Sequence, residues 1–185
     1  MAKHRACPWW MGFVLASPLR KLIQNPEKIL SPYIKNGMTM LDIGCAMGFF
    51  SVEMAKMGGD TGKVICVDIQ DTMISYLLKR AEKYGVKDRL IPHVCSEKGL
   101  GLTGYDNAID FALAFYMIHE IGDPVSFIRE IYHALKEGGK FLVVEPAFHV
   151  TEKDFQDTEK MLMETGFRVL DRPSVYRSRS LLLVK

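Results

Sequence analysis

Residues 39–51, TMLDIGCAMGFFS, combine features that bring backbone amides up to a ligand. Met40, Leu41 and Ile43 make a short apolar run that reads as a buried strand. Gly44, Ala46 and Gly48 follow at every second position, and a helical pattern begins at Phe49. A strand that turns through small residues into a helix presents N–H groups at the turn. Gly44 suits the turn because it tolerates positive φ and has no Cβ to block close approach. Asp42 stands just before the turn, where a carboxylate can fix the loop or meet a cationic ligand group. A second apolar run, 63–68 (KVICVD), ends in Asp68, at the position from which an acid hydrogen-bonds ribose hydroxyls. The two features in this order, one helix apart, point to a nucleoside ligand.

Side chains able to move protons come later. Tyr116, His119 and Glu120 follow an apolar run over 108–115, and Glu145 and His149 close and follow another over 140–145. Open α/β sheets set their ligand crevice at the carboxyl ends of such strands. His119 is the candidate base, since imidazole accepts a proton near neutral pH, and a structural role for it stays open. His119, Glu120, Glu145 and His149 are also metal-capable, but their spacing demands no metal and none is expected. Cys7, Cys45, Cys66 and Cys95 form no C-x-x-C pair, which argues against a zinc cluster or disulfide framework and for reduced thiols.

With these residues in view, the chain resembles the class I S-adenosylmethionine-dependent methyltransferases, in the small-molecule branch that includes quinone-biosynthesis enzymes. The resemblance rests on Asp42-Ile43-Gly44-Cys45-Ala46-Met47-Gly48, Val67-Asp68-Ile69, Ile118-His119-Glu120-Ile121-Gly122-Asp123 and Leu135-Lys136-Glu137-Gly138-Gly139-Lys140. Glu137 stands where the family usually has proline. The resemblance covers roughly residues 28–185 and implies S-adenosyl-L-methionine as cofactor. It also implies a doubly wound, Rossmann-like seven-stranded sheet of order 3-2-1-4-5-7-6, with the last strand antiparallel and helices on both faces. The cofactor contacts it implies are Asp42, Gly44, Cys45, Ala46, Gly48, Asp68, Ile69, Ser96 and the backbone of Ala114. Ser96 stands where the family often has an aspartate against the adenine amine, so the backbone, Ile69 and Glu97 are alternative readers of adenine. His119 and Tyr116 are the catalytic candidates. Trp9, Trp10, Tyr116, Glu145 and His149 are the substrate-side candidates.

The chain has 185 residues, enough for one continuous core. Residues 28–185 are expected to form a single domain preceded by an arm, 1–27. Basic residues exceed acidic ones by 24 to 22, too small a surplus to point to nucleic acid. The arginines at 168, 172, 177 and 179 read as a solvated edge rather than an RNA site. The run Trp9–Ala16 is too short to span a bilayer. The arm holds both tryptophans and has three readings: a packing anchor, a lid over the substrate, or a peripheral contact with a membrane surface. A cytoplasmic location follows from the intracellular cofactor. The oligomeric state is unassigned.

Elements follow from periodicity and punctuation. Helices are expected over 26–33, 49–57, 71–84, 124–135 and 152–165, with Asn25, Asp71, Asp123 and Thr151 as caps and Pro26 and Pro124 in first turns. Strands are expected over 40–43, 63–68, 90–95, 108–115, 140–145, 167–171 and 180–184. Pro92 assigns the third strand to an edge, and Gly138-Gly139 separates the fourth helix from the fifth strand.

The expected function is methyl transfer to a small or hydrophobic molecule by in-line displacement. A cofactor-binding protein without turnover is the alternative. A nicotinamide-dependent oxidoreductase fits less well, because Gly44-x-Ala46-x-Gly48 lacks the spacing that seats a pyrophosphate.

Overall fold

The computed structural model describes residues 18–185, which divide into two compact units, one ending at Cys95 and one running Ser96–Lys185. Trp9 and Trp10, assigned above to the substrate side, lie outside the described residues.

In the first unit a 3-10 turn, Pro18–Leu22, leads into helix α1, Pro26–Leu30. Asn25 caps α1 by accepting from Glu27 N at 3.0 Å, and Pro26 sits in its first turn, where a missing N–H costs nothing. Strand β1, Thr39–Ile43, pairs in parallel with β2, Lys63–Asp68, from Thr39↔Lys63 to Ile43↔Val67. Both are buried along nearly their whole length, as expected of parallel strands covered on two faces. Between them lies α2, Ser51–Met57. It starts two residues later than the sequence suggests, because residues 46–50 are spent in turns. Helix α3, Asp71–Lys83, buries Met73, Ile74, Leu77 and Ala81 along one stripe. Gln70, not Asp71, is its N-cap residue, and no side chain caps it. The reason is upstream: Asp68 Oδ1 accepts from Gln70 N at 2.9 Å and turns the chain one residue earlier. Strand β3, Leu90–Val94, pairs with β2 and alternates in burial.

In the second unit β4, Ile109–Phe115, pairs in parallel with β5, Leu135–Pro146. Helix α4, Pro124–Ala134, joins them, capped by Asp123 and buried along Phe127, Ile128, Ile131 and Ala134. The chain passes from α4 straight into β5, without a separating turn. Leu135 pairs with Ile109, Lys140 pairs with Phe111, and the glycine pair falls in the irregularity between. Glu130 of α4 accepts from Leu100 N and Gly101 N at 2.9 Å each and from Leu102 N at 3.4 Å, so one carboxylate organises the loop before β4. Helix α5, Glu152–Thr165, opens with a capping box between Thr151 and Asp154 and stops at Gly166, whose φ is 119°. Strands β6, Arg168–Asp171, and β7, Ser178–Val184, form an antiparallel pair, and β7 runs antiparallel to β5.

The seven strands take the order β3-β2-β1-β4-β5-β7-β6. That order, the edge position of the proline-bearing β3 and the antiparallel last strand agree with the expectation.

Candidate functional site

In the first unit the bend after β1 is built from the end of β2. Gly44 N and Cys45 N both donate to Val67 O, at 2.9 and 3.0 Å. Ala46 N donates to Asp68 Oδ2 at 2.9 Å. Gly44, Ala46 and Gly48 all have positive φ, at 69°, 46° and 76°. A left-handed alanine is uncommon, and here the Asp68 carboxylate holds it by the amide. Burial raises the Asp68 carboxyl above its ordinary range, against the opposing N–H donors of Gln70 and Ala46.

Asp42 lies beneath the same bend. Burial pushes its carboxyl up to about 6, the neighbouring Asp68 charge adds to this, and the hydrogen bond donated by Ser51 Oγ opposes it. Asp42 therefore ties the end of β1 to the first residue of α2. Two desolvated acids at one bend make a site that favours a cationic partner. Cys45 is 5% exposed, and burial drives its thiol well above its ordinary value, so it is no nucleophile. Ile69 is 38% exposed, next to Asp68.

In the second unit Ser96 N donates to Gly99 O at 3.2 Å, and Ser96 Oγ accepts from Lys98 N at 3.2 Å, so its acceptor already serves a local turn. Ala114 is fully buried in β4, which leaves only its backbone for any ligand contact.

The end of β5 brings two candidates of the second unit together. Glu145 is buried; its Oε1 accepts from Ile118 N at 2.8 Å and its Oε2 is hydrogen-bonded to His119 Nδ1. The short 3-10 turn Ile118–Glu120 is thus held at both its first amide and its histidine. Burial works against a charged His119, but the hydrogen bond and charge of Glu145, with Glu120 adding, outweigh it and raise the imidazole above its ordinary value. With Glu145 on Nδ1, that nitrogen carries the proton and Nε2 is left as the acceptor. The His149 ring lies 5.0 Å from the His119 ring, edge-on at 67°.

Tyr116 has a left-handed backbone, φ 62°, and its N–H donates to Val144 O at 2.8 Å. Its hydroxyl lies 2.6 Å from Ser178 Oγ, which itself donates to Tyr176 O at 3.0 Å. Ser178 has one hydroxyl proton and spends it on Tyr176, so Tyr116 donates to Ser178. Sequence reasoning did not single out Ser178 or Ser51. Ser51 was detectable as a polar residue in the first turn after the glycine bend. Ser178 carried no local signal, since it stands 62 residues from Tyr116. Among the described residues no group of three His, Cys, Asp or Glu side chains is arranged to hold a metal.

Residues 34–175 match the sequence model of a family described as a methyltransferase domain. The chain is 28% identical over 112 residues to the ubiquinone/menaquinone biosynthesis C-methyltransferase UbiE of Enterobacter sp. (strain 638), a stretch that is 60% of this chain and 44% of that protein. It is 25% identical to the demethylmenaquinone methyltransferase of Oceanobacillus iheyensis, over 60% of this chain and 46% of that one. The chain thus spans less than half the length of these curated relatives. A crystal structure of a SAM-dependent methyltransferase from Aquifex aeolicus superimposes with a TM-score of 0.85 at 25% identity, covering 97% of this chain and 100% of that one.

Proposed function

This chain belongs to the methyltransferase-domain family, and on that premise we propose that it transfers the methyl group of S-adenosylmethionine to a small, hydrophobic acceptor. The observation that carries the reading is the Gly44–Gly48 bend held to Asp68 through the Ala46 amide. The bend suits this cofactor. The Asp68 carboxylate accepts from the Ala46 and Gln70 amides on its two oxygens, and its remaining acceptor capacity is directed to the ribose hydroxyls. The buried Asp42 and Asp68 charges favour a ligand with positive charge on sulfur and nitrogen. Gly44, Cys45, Ala46 and Gly48 take the methionine portion and ribose, Ile69 and Ser96 the adenine, and the Ala114 backbone the amino group.

Bound S-adenosylmethionine supplies a methyl group on a cationic sulfur, poised for displacement. The chain's own work is to orient the acceptor, exclude water and remove a proton where the acceptor atom carries one. His119 Nε2 takes that proton. Glu145 fixes the tautomer on the opposite nitrogen and stabilises the imidazolium that results. Tyr116 and His149 line the acceptor side, and Tyr116 is held by Ser178. An acceptor of this kind fits the quinone-biosynthesis methylation for which the relatives above are named. A cytoplasmic location accompanies the reading, from the intracellular cofactor and the free thiols of Cys45, Cys66 and Cys95. No helix among the described residues is long and apolar enough to cross a membrane.

Isothermal titration of the full chain with S-adenosylhomocysteine and with NADH tests the reading. S-adenosylhomocysteine should bind, and Asp68→Asn should weaken it about tenfold, the worth of one hydrogen bond to a charged acceptor. Binding of NADH without S-adenosylhomocysteine would overturn the proposal.

A further inference from the structure

Two aromatic side chains, on the loops that carry His149 and Ser178, are held out in solvent. Phe148 is 80% exposed and Tyr176 59%. Each is one step from the acceptor-side residues: Phe148 precedes His149, which packs on His119, and Tyr176 O accepts from Ser178 Oγ, which holds the Tyr116 hydroxyl.

Their loops are braced. His149 N and Val150 N donate to Pro146 O at 3.1 and 2.9 Å, closing a tight turn around Phe148. Arg179 Nη1 donates to Ala147 O and Val150 O at 3.1 and 2.8 Å, so one guanidinium spans the turn. Ala147 N donates to Arg177 O at 3.0 Å and locks the Phe148 turn to the Tyr176 loop. Arg177 is itself left-handed, with φ 53°, a conformation that a non-glycine residue keeps only where its surroundings impose it.

Arg177 differs from the arginines around it. Arg172 is paired with Glu159 and Arg179 with Glu152. The Arg177 guanidinium has no carboxylate partner among the described residues; it lies 5.9 Å from the centroid of the Tyr176 ring. Single exposed apolar residues are ordinary on a protein surface. Two aromatics on mutually locked loops, with an unneutralised guanidinium beside one of them, and with one loop carrying His149 against His119 and the other carrying Ser178 against Tyr116, are a different arrangement.

We infer that Phe148, Tyr176 and Arg177 form the recognition rim for the acceptor, and that the rim selects a planar aromatic molecule bearing an anionic oxygen. The rings take the flat apolar body by stacking. The planar guanidinium donates in parallel to a carboxylate or phenolate oxygen and is kept in place by the Tyr176 face. The inference rests on reading His119 as the acceptor-side base.

The test uses the full chain saturated with S-adenosylhomocysteine, titrated by calorimetry with naphthoate and with its neutral counterpart naphthalenemethanol. The wild type should bind naphthoate about tenfold more tightly than the alcohol, the contribution of a hydrogen bond to a charged group. Phe148→Ala should weaken both probes by a similar factor, about three- to tenfold for the loss of one aromatic contact. Arg177→Gln should abolish the preference for naphthoate and leave the alcohol unchanged. Both side chains are exposed, and circular dichroism checks that the variants keep their fold. Equal binding of the two probes by the wild type, or unchanged affinities in both variants, overturns the rim. Saturation with the nucleoside is read first, so failure of the methyl-donor reading appears as a separate result.

Discussion

Replacing Glu145 by glutamine probes the acceptor side with little change of shape. Glu145 Oε1 accepts from Ile118 N at 2.8 Å, and a glutamine carbonyl keeps that bond. The new amide NH2 then faces His119 Nδ1, where the wild type presents a carboxylate oxygen. An N–H donor there selects the tautomer with the proton on Nε2, and the nitrogen proposed to receive the acceptor's proton becomes a donor. Restoring the productive tautomer breaks that neutral amide-to-imidazole hydrogen bond and sets two N–H donors against each other, which leaves a buried donor unpaired at a cost of about 1–3 kcal/mol. That lowers the productive fraction, and with it the rate, by about ten- to a hundredfold. Single-turnover formation of S-adenosylhomocysteine, with an acceptor that must lose a proton, measures the rate. Nitrogen-resolved NMR of the His119 ring reads the tautomer without any acceptor. The pH dependence has a defined sign. Glu145 holds the His119 imidazole above its ordinary value, so Glu145→Gln should shift the acid limb of the rate profile to lower pH. The pair's contribution to stability is fully present below the unfolded histidine pKa and is lost as pH rises through the higher folded value. The wild type's advantage in urea over Glu145→Gln should therefore shrink from mildly acidic to alkaline pH. A variant with full rate, or a wild-type His119 that is unprotonated at Nδ1 near neutrality, would refute the assignment.

Three further outcomes follow. Asp42 is raised from 3.8 to about 6, so the folded state binds its proton more tightly than the unfolded chain. Stability should then fall as pH rises through that window, by about 3 kcal/mol at most, and Asp42→Asn should flatten the slope of urea midpoint against pH. Glu130→Ala strips a charged acceptor from three amides, of which those of the buried Leu100 and Leu102 cannot turn to water. It should cost about 2–4 kcal/mol in urea unfolding, far above the effect of an ordinary surface substitution. Gly48→Ala puts a Cβ 3.1 Å from Leu77 Cγ at a φ of 76°; it should cost about 1–2 kcal/mol and weaken S-adenosylhomocysteine in the same calorimeter.

The sequence by itself determined whatever depends on neighbours along the chain. Thr151, with Asp154 three positions on, and Gly166 mark both ends of α5, because caps are satisfied within one turn. The apolar runs of β1, β2 and β4 and the proline in β3 determine which strands are central and which lies at an edge, since burial on two faces favours apolar side chains wherever no hydrogen-bond partner waits, as one does for Asp42 and Asp68. The glycine bend and the acid ending β2 stand out through spacing alone as the proposed nucleoside side. Local pattern was misleading at two junctions. Asp71 has a capping residue's chemistry, but the Asp68 carboxylate had already turned the chain. Gly138 and Gly139 look like a stop between helix and strand, yet Leu135 already pairs with Ile109 and the glycines lie within an irregular β5. Only the tertiary structure decided the partnerships between side chains distant in sequence: Glu145 with His119 across 26 residues, Ser178 with Tyr116 across 62, and Glu130 with the loop at 100–102. A carboxylate's worth depends on which donors reach it and how much water is excluded, and strand pairing sets both.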